Sequence, residues 1–220
     1  MTNDNAAVIV AGGGGRRLGS PVGGKAAVLL GGQSLLQRVV AAVSDAIPRL
    51  VIVKAAGQSL PPLATGPGVI IDVVDDSQPG GGPLAAVVDG MRFLAASRRP
   101  PAGCLLASCD LPQLSAGVVR YLLEVSLSHR AEAWAVPQVA GHPQPLVSVM
   151  PLSLLPTVEQ YLGLGRRDLR GLMEAVPTRL VDEAALRGLD PDLASFLDID
   201  TASDLATIGR RSDTPPPAEA

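Results

Sequence analysis

Hydrophobic positions along the chain follow two alternating periods. Short apolar runs have the length and branched content of buried strands: Val8 to Val10, LVIVK at Leu50 to Lys54, VIIDVV at Val69 to Val74 and CLLAS ending at Ser108. Between them apolar residues recur at helical spacing. Leu35, Leu36, Val39, Val40 and Val43 form one stripe behind Ser34, whose hydroxyl together with Gln37 spells a capping box. Leu84, Val87, Val88, Met91 and Leu94 form a second, with Pro83 in its first turn and SRRPP at its end. Val118, Val119, Leu122 and Leu123 form a third behind Ser115. EAWAVP and QPLVSVM predict two more strands, Leu152 to Leu162 and Asp168 to Ala175 two helices, and FLDID a last strand before a helix capped by Thr201. This alternation predicts an α/β fold in three layers, a mostly parallel sheet with helices on both faces, taking ligands at the carboxyl ends of its strands.

Composition sharpens the picture without changing it. A 220-residue chain that is 47% hydrophobic and 18% charged supports one substantial core, and with 2% aromatics that core is aliphatic. A single domain is expected over residues 1–209. The tail 210–220, RRSDTPPPAEA, holds too little apolar surface to offset its ordering entropy and is expected to be disordered. A net charge of −3 argues against nucleic acid or an anionic membrane as partner. No run approaches a membrane span and the start MTNDNAA lacks a signal peptide's pattern, so the expected compartment is the cytoplasm. Cys104 and Cys109 fit neither zinc nor disulfide spacing and are expected to be two reduced, half-buried thiols.

The candidate chemistry begins where the first strand ends, at AGGGGRRLGSPVGGK. Glycines let backbone N–H groups approach an anion, and arginine and lysine offset its charge. Three phosphate motifs overlap here. Gly19, Gly24 and Lys25 satisfy most of a P-loop, but Ala26 stands where a hydroxyl belongs and the loop starts too far from the strand. Gly12 and Gly14 open a dinucleotide fingerprint, but Arg17 takes the third glycine's place.

The third motif fits the whole stretch: VAGGGGRRLG followed by Lys25 resembles the L-A-G-G-x-S-x-R-M-G…K signature of nucleotidyltransferases. GGGPLAAV is similar to the GPLAG segment of the molybdenum cofactor guanylyltransferases, CDLPQL to their CDxP motif, HPQPLVSVM to their QPLxA segment and FLDIDTASDL to their NVNTPEDL ending. These pieces stand in family order across residues 7–208. The chain departs from the pattern at Gly15, for a serine, at Lys54, for an asparagine, and at Asp198 and Asp200, for two asparagines. DIDT is closer to the molybdopterin cytidylyltransferases, while GGGPLAAV and QPLVSV resemble the guanine branch. The resemblance implies a Rossmann-like nucleotidyltransferase that transfers GMP from GTP to the phosphate of molybdenum-molybdopterin, with transient contact to proteins that deliver or receive the cofactor. Transfer of CMP, or of a nucleotide to another phosphorylated acceptor, and a non-catalytic nucleotide-binding protein of the same fold are the alternatives.

Chemistry assigns the parts. A phosphate acceptor is largely ionised at neutral pH, so alignment and charge neutralisation carry the reaction rather than a general base. Lys25 is expected to stabilise charge on the α-phosphate and the leaving pyrophosphate, with Arg17 on the β and γ groups. Val10, Ala11, Gly12 and Gly13 offer backbone to the nucleotide, and Gly82, beside Gly81, allows it close approach. Asp110, at the end of CLLAS, is expected to hold Mg2+ and to take part in catalysis, with Asp200 or Asp198 as a second carboxylate unless Asp200 merely caps the last helix. Asp76, or the adjacent Asp75, is expected to accept the paired N–H donors of guanine. His142 has no acid–base task in this reaction and suits a contact with the acceptor. Arg166, Arg167 and Arg170 form a basic cluster that suits either a pterin phosphate or a solvated helix face. Cys109 lacks a partner base for a nucleophile.

Overall fold

In the computed structural model, residues 5–19, 22–128 and 132–212 are described. Strand β1 (Ala6–Val10) is followed by two 3-10 turns, Arg16–Leu18 and Lys25–Ala27, and by a small hairpin of β2 (Leu29–Leu30) and β3 (Gln33–Ser34). Helix α1 (Leu35–Ser44), strands β4 (Arg49–Lys54) and β5 (Ile70–Asp75), helix α2 (Pro83–Ala95), strand β6 (Gly103–Ser108) and helix α3 (Ala116–Ser128) complete the first part. Strands β7 (Trp134–Val139), β8 (His142–Pro143) and β9 (Val147–Pro151) lead through a 3-10 turn into α4 (Leu155–Gly163) and α5 (Leu169–Ala175). Strand β10 (Thr178–Val181), α6 (Glu183–Arg187), a 3-10 turn at Ala194–Phe196 and α7 (Ala202–Ser212) close the chain.

The main sheet runs β10-β7-β9-β6-β1-β4-β5, with β8 paired to β7. β6, β1, β4 and β5 are mutually parallel, and β9 is antiparallel to both of its neighbours. Alternation along the strands divides the interior, as a period of two requires. Ala7, Ile9, Leu50, Ile52, Leu105 and Ala107 pack with α1 and α3, whereas Ala6, Val8, Val51, Val53, Cys104 and Leu106 pack with α2, α4 and α5. The expected three layers are present.

Several local readings are corrected. FLDID forms no strand: Ile199 donates one hydrogen bond to the carbonyl of Asp110, beyond the end of β6, and its side chain is buried against Val28, Leu30, Leu35 and Ile208. Alternating polarity there reflects one buried isoleucine between two exposed aspartates, not a ladder. β10, half exposed and four residues long, was not anticipated. Only half of the capping box forms. Ser34 Oγ accepts from the Gln37 N–H, but the Gln37 side chain exchanges two hydrogen bonds with the Ala64 backbone. Both cysteines are fully buried rather than half-buried. Helix α7 continues through Ser212, into the segment expected to be disordered; the rest of that tail, like residues 1–4 of the N-terminal stretch, lies outside the described residues.

Candidate active site

The register brings four strand ends to one level. Val10 is paired with Val53 of β4 and Ser108 of β6, and Lys54 with Asp75 of β5. The segments leaving these strands are stitched together by backbone bonds: Ala11 N–H to Val53, Asp76 N–H to Lys54 and Cys109 N–H to Val10. The glycine loop, Asp76 and Asp110 therefore open onto the same side, at the carboxyl ends of parallel strands.

They line a cleft of about 350 Å³ whose walls include Val10, Gly12, Gly13, Lys25, Asp76, Gly82 and Asp110. Gly82 precedes the first turn of α2, with Pro83 at the first helical position, so the partly positive end of a 13-residue helix opens on the cleft. A second, more open lobe of about 480 Å³ is bordered by Gly13, Gly14, Gly15, Arg17, Lys25, Asp110 and Asp200. Gly13, Lys25 and Asp110 belong to both and mark the boundary between them.

Lys25 sits at that boundary, 7% exposed. Its ammonium donates to Asp110 Oδ2 at 2.7 Å and to Asp200 Oδ1 at 2.5 Å. Burial alone lowers a lysine's pKa, but the hydrogen bonds to Asp110 and Asp200, with their charges, outweigh it and hold Lys25 above its ordinary value. The backbone is shaped for this placement. Lys25 N–H donates to the Gly13 carbonyl at 2.9 Å, and a Cβ on Gly24 would lie 2.7 Å from that same oxygen, so only glycine fits before the lysine. Gly15, where the nucleotidyltransferase signature carries serine, has a φ of 61°, a left-handed conformation suited to glycine.

Asp200 is not a helix cap. Thr201 and Asp204 cap α7 reciprocally: the Thr201 N–H and hydroxyl donate to Asp204 Oδ2, and the Asp204 N–H donates to Thr201 Oγ1. The Asp200 N–H joins the same oxygen, leaving its carboxylate for Lys25. Asp198 is pushed up by partial burial and then by the charges of Asp200 and Asp110. Asp110 and Asp200 meeting on one cation form a hard-oxygen set of the kind Mg2+ takes. Among the described residues no group of three or more His, Cys, Asp or Glu converges.

At the other end of the cleft, Asp76 Oδ1 accepts from the Gln78 N–H at 2.8 Å and makes a tight turn. Asp75 is taken by Lys54 at 2.5 Å, which leaves Asp76 as the carboxylate on the cleft wall. The residue missed from sequence is Asp89, buried on α2. Its carboxylate accepts from both the N–H and the hydroxyl of Ser77, at 2.7 and 2.9 Å, and fixes the turn from below. An aspartate inside an apolar helical stripe was the available signal.

Not every expected residue meets here. Ala11 is buried with both backbone groups engaged, its N–H by Val53 and its carbonyl by Gln58, so it supports the floor without lining it. Arg17 is exposed on the rim of the open lobe. His142 stands exposed on the β7–β8 hairpin and lines neither lobe. Arg166 stacks over the Tyr161 ring at 5.4 Å, Arg167 reaches the Gly80 carbonyl at 3.3 Å, and Arg170 is exposed. Cys109 borders the cleft, but its side chain is buried, and that burial, then Asp110, pushes the thiol up to about 12, so it is protonated and a poor nucleophile.

A glycine-floored cleft at the carboxyl ends of parallel strands, beside paired charges suited to displacement at phosphorus, is what an α/β nucleotide-dependent transferase requires. The chain belongs to the MobA-like NTP transferase family, whose domain matches residues 7–182. It is 28% identical over 183 residues to a molybdenum cofactor guanylyltransferase of Desulfosudis oleivorans, covering 83% of this chain and 84% of that one. It is 30% identical over 183 residues to the one from Rhodopseudomonas palustris, covering 82% of each. Among solved structures the fold resembles molybdopterin-guanine dinucleotide biosynthesis protein A of Archaeoglobus fulgidus, with a TM-score of 0.74, 21% identity and coverage of 94% and 98%. It also resembles 2-C-methyl-D-erythritol 4-phosphate cytidylyltransferase of Thermus thermophilus, with a TM-score of 0.65, 20% identity and the same coverage. At these identities the two structures speak for the fold. Among the described residues no helix is long and apolar enough to cross a membrane.

Proposed function

We propose that the chain transfers GMP from GTP to the terminal phosphate of molybdenum-molybdopterin, releasing pyrophosphate and forming a guanine dinucleotide cofactor. The observation that carries this reading is the meeting of Lys25 with Asp110 and Asp200 on the boundary between the enclosed cleft and the open lobe. The names of the relatives supply the choice of acceptor and base. The cytoplasm, which supplies GTP, is the compartment this reading implies, and the proteins that deliver or receive the cofactor are its transient partners.

In the reaction an acceptor phosphate oxygen forms a bond to the α-phosphorus, and the bond from that phosphorus to the β-bridging oxygen breaks, its electron pair leaving with pyrophosphate. Asp76 accepts the two adjacent N–H donors of guanine; each carboxylate oxygen has room for a second bond, so the turn to Gln78 and base recognition are compatible. Gly12, Gly13 and Gly82 let the sugar and phosphates lie against the floor. Lys25 neutralises charge on the α-phosphate as it becomes five-coordinate, and Arg17 clamps the far phosphates. Asp110 and Asp200 would hold Mg2+, which when bound offsets the charge of the triphosphate. No residue is needed to deprotonate the acceptor.

The test supplies the full-length chain with Mg2+, the molybdopterin cofactor and GTP, CTP or ATP, and measures pyrophosphate. The expected result is release that requires both substrates and favours GTP, with the preference for GTP lost in Asp76→Ala. Preferred use of CTP overturns the choice of base; phosphate released from triphosphate alone makes the chain a hydrolase; binding without turnover makes it a non-catalytic nucleotide-binding protein.

A further inference from the structure

Gln58 lies in the segment that follows β4, outside the nucleotide motifs, yet its side chain joins three pieces of backbone around the cleft. Its Oε1 accepts from the Ala55 N–H at 3.0 Å, and its Nε2 donates to the Ala11 carbonyl at 3.0 Å and the Gly23 carbonyl at 2.7 Å. These partners fix the orientation of the amide, because two carbonyls demand the nitrogen and one N–H demands the oxygen. Ala11 is the last residue before the glycine floor, and Gly23 stands two residues before Lys25. The backbone carrying Lys25 is therefore pinned to the end of β1 at two points, the Gln58 amide and the Gly13 carbonyl.

We infer that Gln58 is the positioning residue for Lys25, tying the reacting lysine to β1 and to the segment behind β4. The inference rests on the role given to Lys25 above. Both amide protons of Gln58 Nε2 point to main-chain acceptors, so a substitution that removes them frees the lysine's backbone without touching either carboxylate partner. Glutamate in this place keeps the shape but at neutral pH sets a carboxylate against two carbonyl oxygens. Once protonated it regains one donor.

Two measurements test this in the full-length chain. Backbone hydrogen exchange of the ligand-free protein reads the tether through its effect on the loop: the Lys25 N–H is held by the Gly13 carbonyl, and Gln58→Ala, by freeing the Gly23 carbonyl two residues earlier, is expected to loosen that bond and speed exchange at Lys25 by roughly tenfold. In the pyrophosphate assay, kcat/KM of Gln58→Ala is expected to fall roughly ten- to hundredfold, the scale of two. Gln58→Glu falls similarly at neutral pH and recovers relative to wild type as the pH is lowered, whereas Gln58→Ala does not recover. Unchanged exchange at Lys25 overturns the inference, and so does a pH-independent loss in Gln58→Glu matched by a smaller folded fraction, which marks a purely structural role. If the wild-type chain releases no pyrophosphate, the proposed function fails, and the exchange measurement still decides on Gln58.

Discussion

At the proposed phosphate end of the cleft, three side chains separated by 85 and 175 positions meet through charge; at the proposed nucleoside end, Asp76, Ser77 and Gln78 are held by neighbours and by one buried aspartate. The first arrangement exists only when the sheet is assembled, because the 3-10 turn Lys25–Ala27, the segment after β6 and the segment before α7 each deliver one partner. The second is close to local: a turn closed over two residues and fixed by a helix that begins a few residues later. An ionic cluster is tuned by protonation and by any cation that enters it, whereas a hydrogen-bonded turn is tuned by geometry. The two ends are therefore expected to fail differently, the first in turnover and the second in affinity.

The largest effect is expected from Lys25→Met, which keeps most of the stem and removes the charge. Removing one preorganised electrostatic group typically costs about 10²–10³-fold in kcat, and the KM for GTP should change far less because Asp76 and Gly82 are untouched. Steady-state pyrophosphate release checks this. A variant that loses affinity while keeping kcat would place Lys25 with the nucleoside end and break the comparison.

Alkaline stability is the next measure. Lys25 is held above its ordinary 10.5, so the folded chain keeps this proton where the unfolded chain releases it. The stabilising contribution is complete below about 10.5 and is lost as pH rises through the higher folded value. The buried thiols of Cys104 and Cys109, each pushed up to about 12, act in the same direction from their ordinary 9.0 upward, so the lysine is isolated by comparing wild type with Lys25→Met. The wild type's thermal midpoint is expected to fall more steeply beyond pH 10.5, by about 2–4 °C for each kcal/mol lost. Equal slopes would mean that the ion pairs contribute nothing to the fold.

What could be read from the residue order follows the same division. Four glycines after an apolar strand, an aspartate two residues after CLLAS and glycines before Pro83 are chemical statements made by contiguous residues, and the structure sets Gly12, Gly13, Gly80, Gly82 and Asp110 around one cleft, with Gly14 and Gly15 on the open lobe. Partners chosen by tertiary packing left weaker traces. Asp200 looked equally like a cap, and only the Thr201–Asp204 exchange shows that its carboxylate goes elsewhere. Gln58 sits in a loop rich in proline and glycine, where a glutamine signals only solvent. FLDID read as a strand because burial of Ile199 between two aspartates imitates the period of two. The cysteines read as half-buried from count and spacing, which carry no information on burial, whereas Cys104 is covered by the α2 layer and Cys109 by the α1 layer.

The smallest and most discriminating change is Asp89→Asn. The amide oxygen can still accept from the Ser77 N–H, and the Ser77 hydroxyl can rotate to accept from the amide and turn its own proton to solvent, since Ser77 is exposed. What is lost is charge assistance, plus the 3.7 Å approach of Arg92. That difference is worth about 1 kcal/mol, or roughly a fivefold rise in the KM for GTP, with kcat unchanged because Lys25, Asp110 and Asp200 keep their geometry. Asp89→Ala removes the acceptor of both Ser77 donors and should raise KM further. Combined with Lys25→Met, Asp89→Asn should give effects that add within about 0.5 kcal/mol, as independent sites do. A larger coupling would mean that the turn and the ionic cluster sense each other through the shared floor at Gly12 and Gly13, and that the two ends act as one device.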